Sequence, residues 1–388
     1  MGIHIVKRDA CPLWKKALFY LAAVAAALVV CGILLLAMGV NPLTYYSRMF
    51  TMGMVGNKIA YKTFENYLNV FVPLALTSVA LSLAFKMRFW NIGGEGQFIV
   101  GAIAASTVAL KLKPPIVVAL NNSEFSFSVS FGPILSELIT LVLMCLAAML
   151  AAGLYGALVA ALKVKFGTNE TLLTLMLNYV ALYTLTFLGD KKADWNFFLQ
   201  EESARPVFQS FSDTAAFPRI MLGKFGLNIC VILTLIIGVL VFVYLRYTKR
   251  GYEINVVGDS AGTAHYAGMK VNRIVLRTVF LSACLIGLAA AFKMGTTGVL
   301  STTITGDVGW TGIIVAWLAQ LNTAAIFVVS ALISMLHYGS VQANTMFSNV
   351  DSSFANMLQG VILFLVLAAD FFIRFRVVIT KKGGRDNG

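Results

Sequence analysis

The chain has 388 residues, 59% hydrophobic and 12% charged, with a mean hydropathy of +0.83, whereas an ordinary soluble domain carries about 25% charged residues. A water-soluble globule is excluded, and because apolar stretches recur along the whole length, one membrane-embedded unit is expected in place of two or three soluble domains. Thirty Lys and Arg against 17 Asp and Glu give a formal charge of +13. In this setting the basic residues orient membrane spans and contact anionic head groups, so nucleic-acid binding is not expected.

The N-terminal stretch carries Lys7, Arg8, Lys15 and Lys16 ahead of an apolar run at 17–38. That run is long for a signal-peptide core and reads as a retained first helix. Ten candidate spans follow from the roughly 20-residue requirement: 17–38, 68–85, 92–111, 134–162, 169–188, 227–246, 273–293, 309–319, 323–340 and 354–373. The eighth is short, and the fourth is long enough to tilt or to run past the membrane. The expected fold class is an all-α, polytopic integral membrane protein of about ten helices. Alternating from a cytoplasmic N-terminus puts Lys86, Arg88, Lys163, Lys165, the basic residues within 246–277, and Arg374, Arg376, Lys381, Lys382 and Arg385 inside. Both termini are then cytoplasmic, at the plasma membrane.

Cys31, Cys145, Cys230 and Cys284 sit in apolar runs and Cys11 in the basic N-terminal stretch, without metal or disulfide spacing. His4, His265 and His337 are isolated, so no catalytic set and no metal or cofactor is expected. Of the long external connections, 39–67 mixes Tyr45, Tyr46, Met49, Phe50, Tyr61 and Phe64 with Lys58, Lys62 and Glu65, the pattern of a helix in the interface over 45–66. The connection at 112–133 is the second of the long ones. The one at 189–226 holds Asp190, Lys191, Lys192, Asp194, Glu201, Glu202, Arg205, Asp213 and Arg219, and reads either as a docking face for an external partner or as a solvated loop.

Phe85-Lys86-Met87 recurs as Phe292-Lys293-Met294, and each is followed by a Gly-rich string, Gly93-Gly94-Glu95-Gly96 and Gly306-Asp307-Val308-Gly309, then by an apolar run. One string starts inside and the other outside, which is the relation expected of an inverted repeat with a pathway at its junction.

The most distinctive string is Phe89-Trp90-Asn91-Ile92-Gly93-Gly94-Glu95-Gly96-Gln97-Phe98. Three glycines in four residues disfavour a continuous helix, and irregular backbone at membrane depth is tolerated only beside protein or a wet cavity. Glu95 would cost about 2.5–3.5 kcal/mol facing lipid at a helix centre, so the segment is expected to line a polar path or a protein seam. The alternative is a Gly-rich turn at the membrane surface with Glu95 in water. A phosphate-binding loop is not expected, because no strand precedes the glycines and the Walker lysine is missing. A second string runs Lys163-Val164-Lys165-Phe166-Gly167-Thr168-Asn169-Glu170 and on to Asn178-Tyr179. Thr168 can cap a helix with Glu170 in its first turn, capping alone can account for Asn169 and Glu170, and Asn178 is expected to join helices or, second, to touch solute. The third feature is the cytoplasmic loop around Asp259, Ser260, Ala261, Gly262, Thr263, Ala264, His265, Tyr266, Ala267 and Gly268. Asp259 or Ser260 can start a short helix that Gly268 ends in the left-handed conformation. Such a helix either enters a groove of a soluble partner or is a plain connector.

The Phe-x-Asn-Ile-Gly-x-Glu-Gly-Gln, Gly-Thr-Asn-Glu…Met-Leu-Asn-Tyr and Gly-Asp…Ala-x-x-Ala-Gly-Met-x-Val strings, in this order over about 68–374, resemble the permease subunits of ABC importers for ribose-type sugars, branched-chain amino acids and nucleosides. The simple-sugar and nucleoside branch is the most similar. The resemblance implies a subunit without its own ATP hydrolysis, which pairs with an identical or paralogous second permease, two cytoplasmic ATP-binding cassette subunits and an external substrate-binding protein. It makes 259–267 the ATPase-coupling helix, although Gly262 and Thr263 depart from the commonest pattern of that loop. The expected organisation is a cytoplasmic segment at 1–16 and a first helix and external loop at 17–67, both outside the resemblance, then a permease core at 68–374 with its coupling loop at 247–272, and a cytoplasmic tail at 375–388.

The expected pathway residues are Trp90, Asn91, Gly93, Gly94, Glu95, Gly96 and Gln97, then Asn169, Asn178, Trp310 and Trp317. Aromatic rings would stack on a base or sugar face while amides bond hydroxyls. Trp310 and Trp317 read equally well as interfacial anchors. The competing function classes are an ion-coupled secondary transporter, an importer permease for another small polar solute such as riboflavin or an amino acid, and a membrane assembly subunit.

Overall fold

The computed structural model describes residues 2–7, 12–54, 60–112, 117–122, 125–130, 133–344, 346–347, 350 and 353–380. Arg8, Cys11, Lys58, Lys381, Lys382 and Arg385, invoked above, lie outside the described residues. In chain order the elements are β1 (Gly2–Lys7), α1 (Leu13–Ala37), α2 (Pro42–Met54), α3 (Ala60–Lys86), α4 (Gly94–Lys111), β2 (Val117–Asn122), β3 (Phe125–Ser130), α5 (Pro133–Phe166) and α6 (Glu170–Asp190). They continue with a 3₁₀ turn (Asp213–Ala215), β4 (Arg219–Leu222), β5 (Phe225–Asn228), α7 (Ile229–Tyr247), α8 (Lys249–Asp259), α9 (Ala261–Tyr266), α10 (Val271–Thr297), α11 (Val308–Leu318), α12 (Thr323–Asn344), α13 (Ser353–Arg374) and β6 (Phe375–Thr380).

Each of the ten expected spans is a helix. Eight helices among the described residues are long and apolar enough to cross a membrane, so the chain is an all-α polytopic membrane protein. The other two expected spans are α4, with 18 residues, and α11, with 11. At about 1.5 Å per residue α11 reaches roughly half of a ~30 Å hydrocarbon core.

The chain divides into two units, Met1–Thr63 with Met335–Gly388 and Phe64–Ser334. In the first, α1 packs on α13, and β1 pairs antiparallel with β6, Gly2 opposite Thr380 and Lys7 opposite Phe375. Here the expectation of an interfacial helix over 45–66 is corrected. Helix α2 ends at Met54, Tyr61 and Phe64 already belong to α3, and Tyr45 and Met49 are fully buried. The Tyr45 hydroxyl lies 2.7 Å from Ser340 Oγ and its ring meets Phe354 edge-on, while Tyr46 donates to the Leu28 carbonyl. An alternation of aromatic and basic residues fits a core-facing helix as well as one lying on a bilayer.

In the second unit α3 is buried on every side over 71–85, as expected of a helix apolar all round. In the same unit α4, α5 and α10 cross one another through small residues, the close-approach packing of membrane helices. A Cβ on Gly101 would come within 2.8 Å of the Gly287 Cα, and one on Gly287 would overlap the Ala148 carbonyl of α5. Ser282 of α10 donates to the Ala80 carbonyl of α3 at 2.6 Å. Gly287→Leu is therefore expected to separate α10 from α5 and lower the thermal midpoint of the detergent-purified protein, by the 1–3 kcal/mol or more typical of overpacking. An unchanged midpoint would mean that the crossing is not this tight.

The stretch at 189–226 is ordered by backbone bonds and ends in the β4–β5 hairpin, with Arg219 opposite Asn228. Phe211 and Phe217 donate N–H groups to the carbonyls of Gly298 and Gly295, which ties this layer to the end of α10.

Candidate translocation site

The Gly-rich string does not interrupt a helix, as its composition led us to expect. Gly93 is the N-cap of α4, and Gly94 and Gly96 lie inside it. Non-helical backbone between α3 and α4 is confined to 87–93. The glycines serve close packing instead. Gly96 lies against Asn178 of α6, whose Oδ1 accepts its N–H at 2.8 Å while Nδ2 donates to the Ile92 carbonyl at 2.9 Å. Asn91 and Gln97 face one another amide to amide, with both bonds at 3.1 Å, and Asn91 Oδ1 also accepts from Gly93 N–H. Both are buried. These amides satisfy the backbone where the chain turns into α4, which a buried polar segment requires. Asn178→Leu would leave the Gly96 N–H and the Ile92 carbonyl without partners, at about 1–3 kcal/mol each. The check is a fall in thermal midpoint that Asn178→Gln, which keeps an amide, reduces.

Glu95, in the first turn of α4, is 7% exposed, so it is not a surface carboxylate in water. Its Oε2 accepts the Gly309 N–H at 2.7 Å, and the Trp310 N–H and the Thr305 side chain are its other polar neighbours. Gly309 and Trp310 stand in the first turn of α11, where backbone N–H groups have no intrahelical partner. Asp307 occupies the N-cap of α11 but makes no capping bond with its side chain. The cap comes instead from Glu95, across the unit. The two Gly-rich strings thus meet, and a Cβ on Gly309 would overlap the Glu95 backbone.

Between α10 and α11 the chain runs without helix from 298 to 307, with positive φ at Gly298, Gly306 and Asp307. This segment, α4, α6 and α11 line a cavity of about 340 Å³ formed by Glu95, Asn178, Tyr179, Leu182, Thr302, Thr303, Thr305, Gly306, Asp307 and Trp310. Of the expected pathway residues it gathers Glu95, Asn178 and Trp310. Gly93, Gly94, Gly96, Asn91 and Gln97 lie buried behind it in the turn into α4. Trp90 and Trp317 stack on each other at 5.2 Å with Phe85 against both, Trp317 being at the far end of α11 from Glu95. Asn169 is exposed, and it replaces Thr168 as the cap of α6 by accepting from Thr171 and Leu172 N–H groups. Glu170 pairs with Lys163. The sequence reading missed Thr302, Thr303 and Thr305, and it quoted Tyr179 and Asp307 in its strings without assigning them to the pathway. The run Ser301-Thr302-Thr303-Ile304-Thr305, four hydroxyls in five residues, was the available signal.

The loop between α7 and α10 forms two helices, α8 and α9. Asp259 ends α8, Ser260 Oγ caps α9 through Thr263 N–H at 3.2 Å, and Gly268 follows at φ +74°. Of residues 259–268 only Ala264 is buried, and Tyr266 is 94% exposed. Helix α8 is seated by Gly258, where a Cβ would overlap the Lys86 carbonyl, and by Glu253, which pairs with Arg277 of α10 at 2.9 Å.

The family described as the permease component of the branched-chain amino acid transport system matches residues 63–367. The chain belongs to that family. Similar proteins include the glucose ABC transporter permease protein TsgB13 of Haloferax volcanii, 27% identical over 97% of this chain and 94% of its own length. The guanosine ABC transporter permease protein NupP of Bacillus subtilis is 26% identical over 94% and 96% of the two chains. The nucleoside ABC transporter permease protein NupB of Lactococcus lactis is 25% identical over 84% of each. The chain is a multi-pass ABC importer permease, a kind of subunit that works with ATPase and substrate-binding partners. Among the described residues no three His, Cys, Asp or Glu side chains are grouped to hold a metal.

Proposed function

We propose that this permease carries a nucleoside or simple sugar across the plasma membrane, and that solute passes along the cavity beside Glu95. The observation that carries the reading is the lining of that cavity: hydroxyls of Thr302, Thr303, Thr305 and Tyr179, the amide of Asn178 and the indole of Trp310. Such groups bond the hydroxyls of a sugar or ribose and stack on its flat face or base. The names of the similar glucose, guanosine and nucleoside permeases support the same class. The inverted-repeat relation between the two Gly-rich strings belongs to this reading, because half-helix N-termini meeting near the midplane mark solute sites in such transporters.

In this proposal α9 is the coupling helix and enters a groove of a cytoplasmic ATPase subunit. Its exposure supports that role, as does the continuity from Gly258 of α8 through the Lys86 carbonyl to the turn that holds Asn91 and Glu95. ATP binding would draw two such helices together across a pair of permeases and alternate the access of the cavity. Hydrolysis stays with the partners. Both termini lie in the cytoplasm, a placement supported by the positive charge of the loops and by the pairing of β1 with β6. The external layer at 189–226 would receive the binding protein. Reconstitution in proteoliposomes tests the reading: uptake is expected only with ATP, both ATPase subunits and the loaded binding protein. Gradient-driven uptake by the single chain would overturn it.

A further inference from the structure

Helix α11 begins at the cavity, and the partial positive charge of a helix N-terminus ordinarily attracts an anion. Here that place is taken by Glu95. Its Oε2 accepts the Gly309 N–H at 2.7 Å, so a carboxyl oxygen of the chain itself fills the place an anion would take. Asp307, exposed at the start of the same helix, adds a second carboxylate to the lining. None of the ten lining residues is Lys, Arg or His. The place that could have been an anion cradle is therefore filled by one carboxyl group, and a second, exposed one stands beside it. A cleft lined by one sign of charge focuses its field on a passing solute.

We propose that Glu95 and Asp307 are specificity-determining residues of the permease itself: they let neutral hydroxylated solutes through the cavity and reject anionic ones, such as phosphorylated sugars, nucleotides or free carboxylates. The inference rests on the cavity being the solute path, and it goes beyond that reading by placing part of the selectivity in the membrane subunit. Capping alone does not account for the arrangement. A neutral side chain at the Asp307 position would cap α11 as well, and Asp307 makes no capping bond.

The test reads the potential in the cavity of the assembled transporter in proteoliposomes. A single cysteine is introduced by Thr303→Cys in a background lacking the five native cysteines, and a second is placed at the exposed loop residue Trp195 as a reference. Rates are measured for a cationic and an anionic methanethiosulfonate of equal size. The cation-to-anion rate ratio is expected to be about tenfold higher at position 303 than at the reference. Glu95→Gln should lower it about fivefold, and Asp307→Asn, which leaves the α11 cap in place, about twofold. An unchanged ratio in both variants overturns the proposal. A neutral reagent of the same size separates this from the reading it rests on: block of ATP-driven uptake places the cavity on the path, whereas uptake persisting after complete labelling removes the cavity from the path and the selectivity role with it.

Discussion

Replacing Gly309 with alanine is expected to reduce ATP-driven uptake at least tenfold, while Gly312→Ala one turn further along α11 keeps it within a factor of about three. Both substitutions add one methyl group to a buried glycine of the same helix. At Gly309 the methyl would overlap the backbone nitrogen and Cα of Glu95, neither of which can rotate away. At Gly312 its nearest neighbour is the Thr77 methyl at 3.2 Å, followed by side-chain atoms of Leu81 and Ser78 that can yield. The first change must push the start of α11 off α4 and lengthen the bond from Gly309 N–H to Glu95, which moves one wall of the cavity. Overpacking of this kind costs about 1–3 kcal/mol, and an ångström of misplacement at a site of pre-set geometry costs far more in rate than in stability. Uptake and thermal midpoint are measured on the same reconstituted preparations. Loss of uptake with a midpoint lowered by only a few degrees supports a positional role for the contact. Equal uptake in the two variants would show that the meeting of α4 and α11 does not shape the path.

That contact lay beyond the reach of sequence reasoning, for a physical reason. Glu95 and Gly309 are 214 residues apart, and nothing local tells a carboxylate that caps a distant helix from one that lines a pore. Features whose cause is local were legible. The apolar runs marked every helix that reaches through the unit, because the length and polarity a bilayer demands are written in consecutive residues. Ser260 and Gly268 bound α9 through bonds made within four residues. Asn178 was read as a joint between helices, since an amide deep in an apolar helix must find a partner, although only the structure identifies that partner as backbone at Gly96 and Ile92. Errors arose where one pattern serves two environments. Tyr45 and Met49 would suit a bilayer surface and are in fact core, and Thr168 and Asn169 are both good caps, of which the chain uses the second. The threonines of the cavity went unnoticed because a hydroxyl run reads as a turn until a non-helical segment is known to carry it into the protein.

Removing the ring of Tyr266 is expected to separate assembly from folding. Tyr266 is 94% exposed at the end of α9, so its side chain contributes almost nothing to the fold of this chain, and Tyr266→Ala should leave the thermal midpoint of the isolated permease within about a degree of wild type, as surface substitutions generally do. If α9 fills a groove of an ATPase subunit, an exposed tyrosine at its tip is the type of side chain that anchors an interface, and truncating it costs about 2 kcal/mol or more. That corresponds to roughly 30-fold weaker binding of the ATPase subunit, read as loss of its co-purification and of solute-stimulated ATP hydrolysis. Ser260→Ala provides a graded companion: it deletes the cap that Thr263 N–H uses, costs about 1 kcal/mol of helix stability, and should weaken ATPase binding by a smaller factor because the helix must re-form to dock. The order of the two effects discriminates between roles. A coupling helix gives the larger assembly defect to Tyr266, which the fold does not need. A mere connector gives Tyr266→Ala no defect at all, and leaves Ser260→Ala with a small loss of stability as its only consequence.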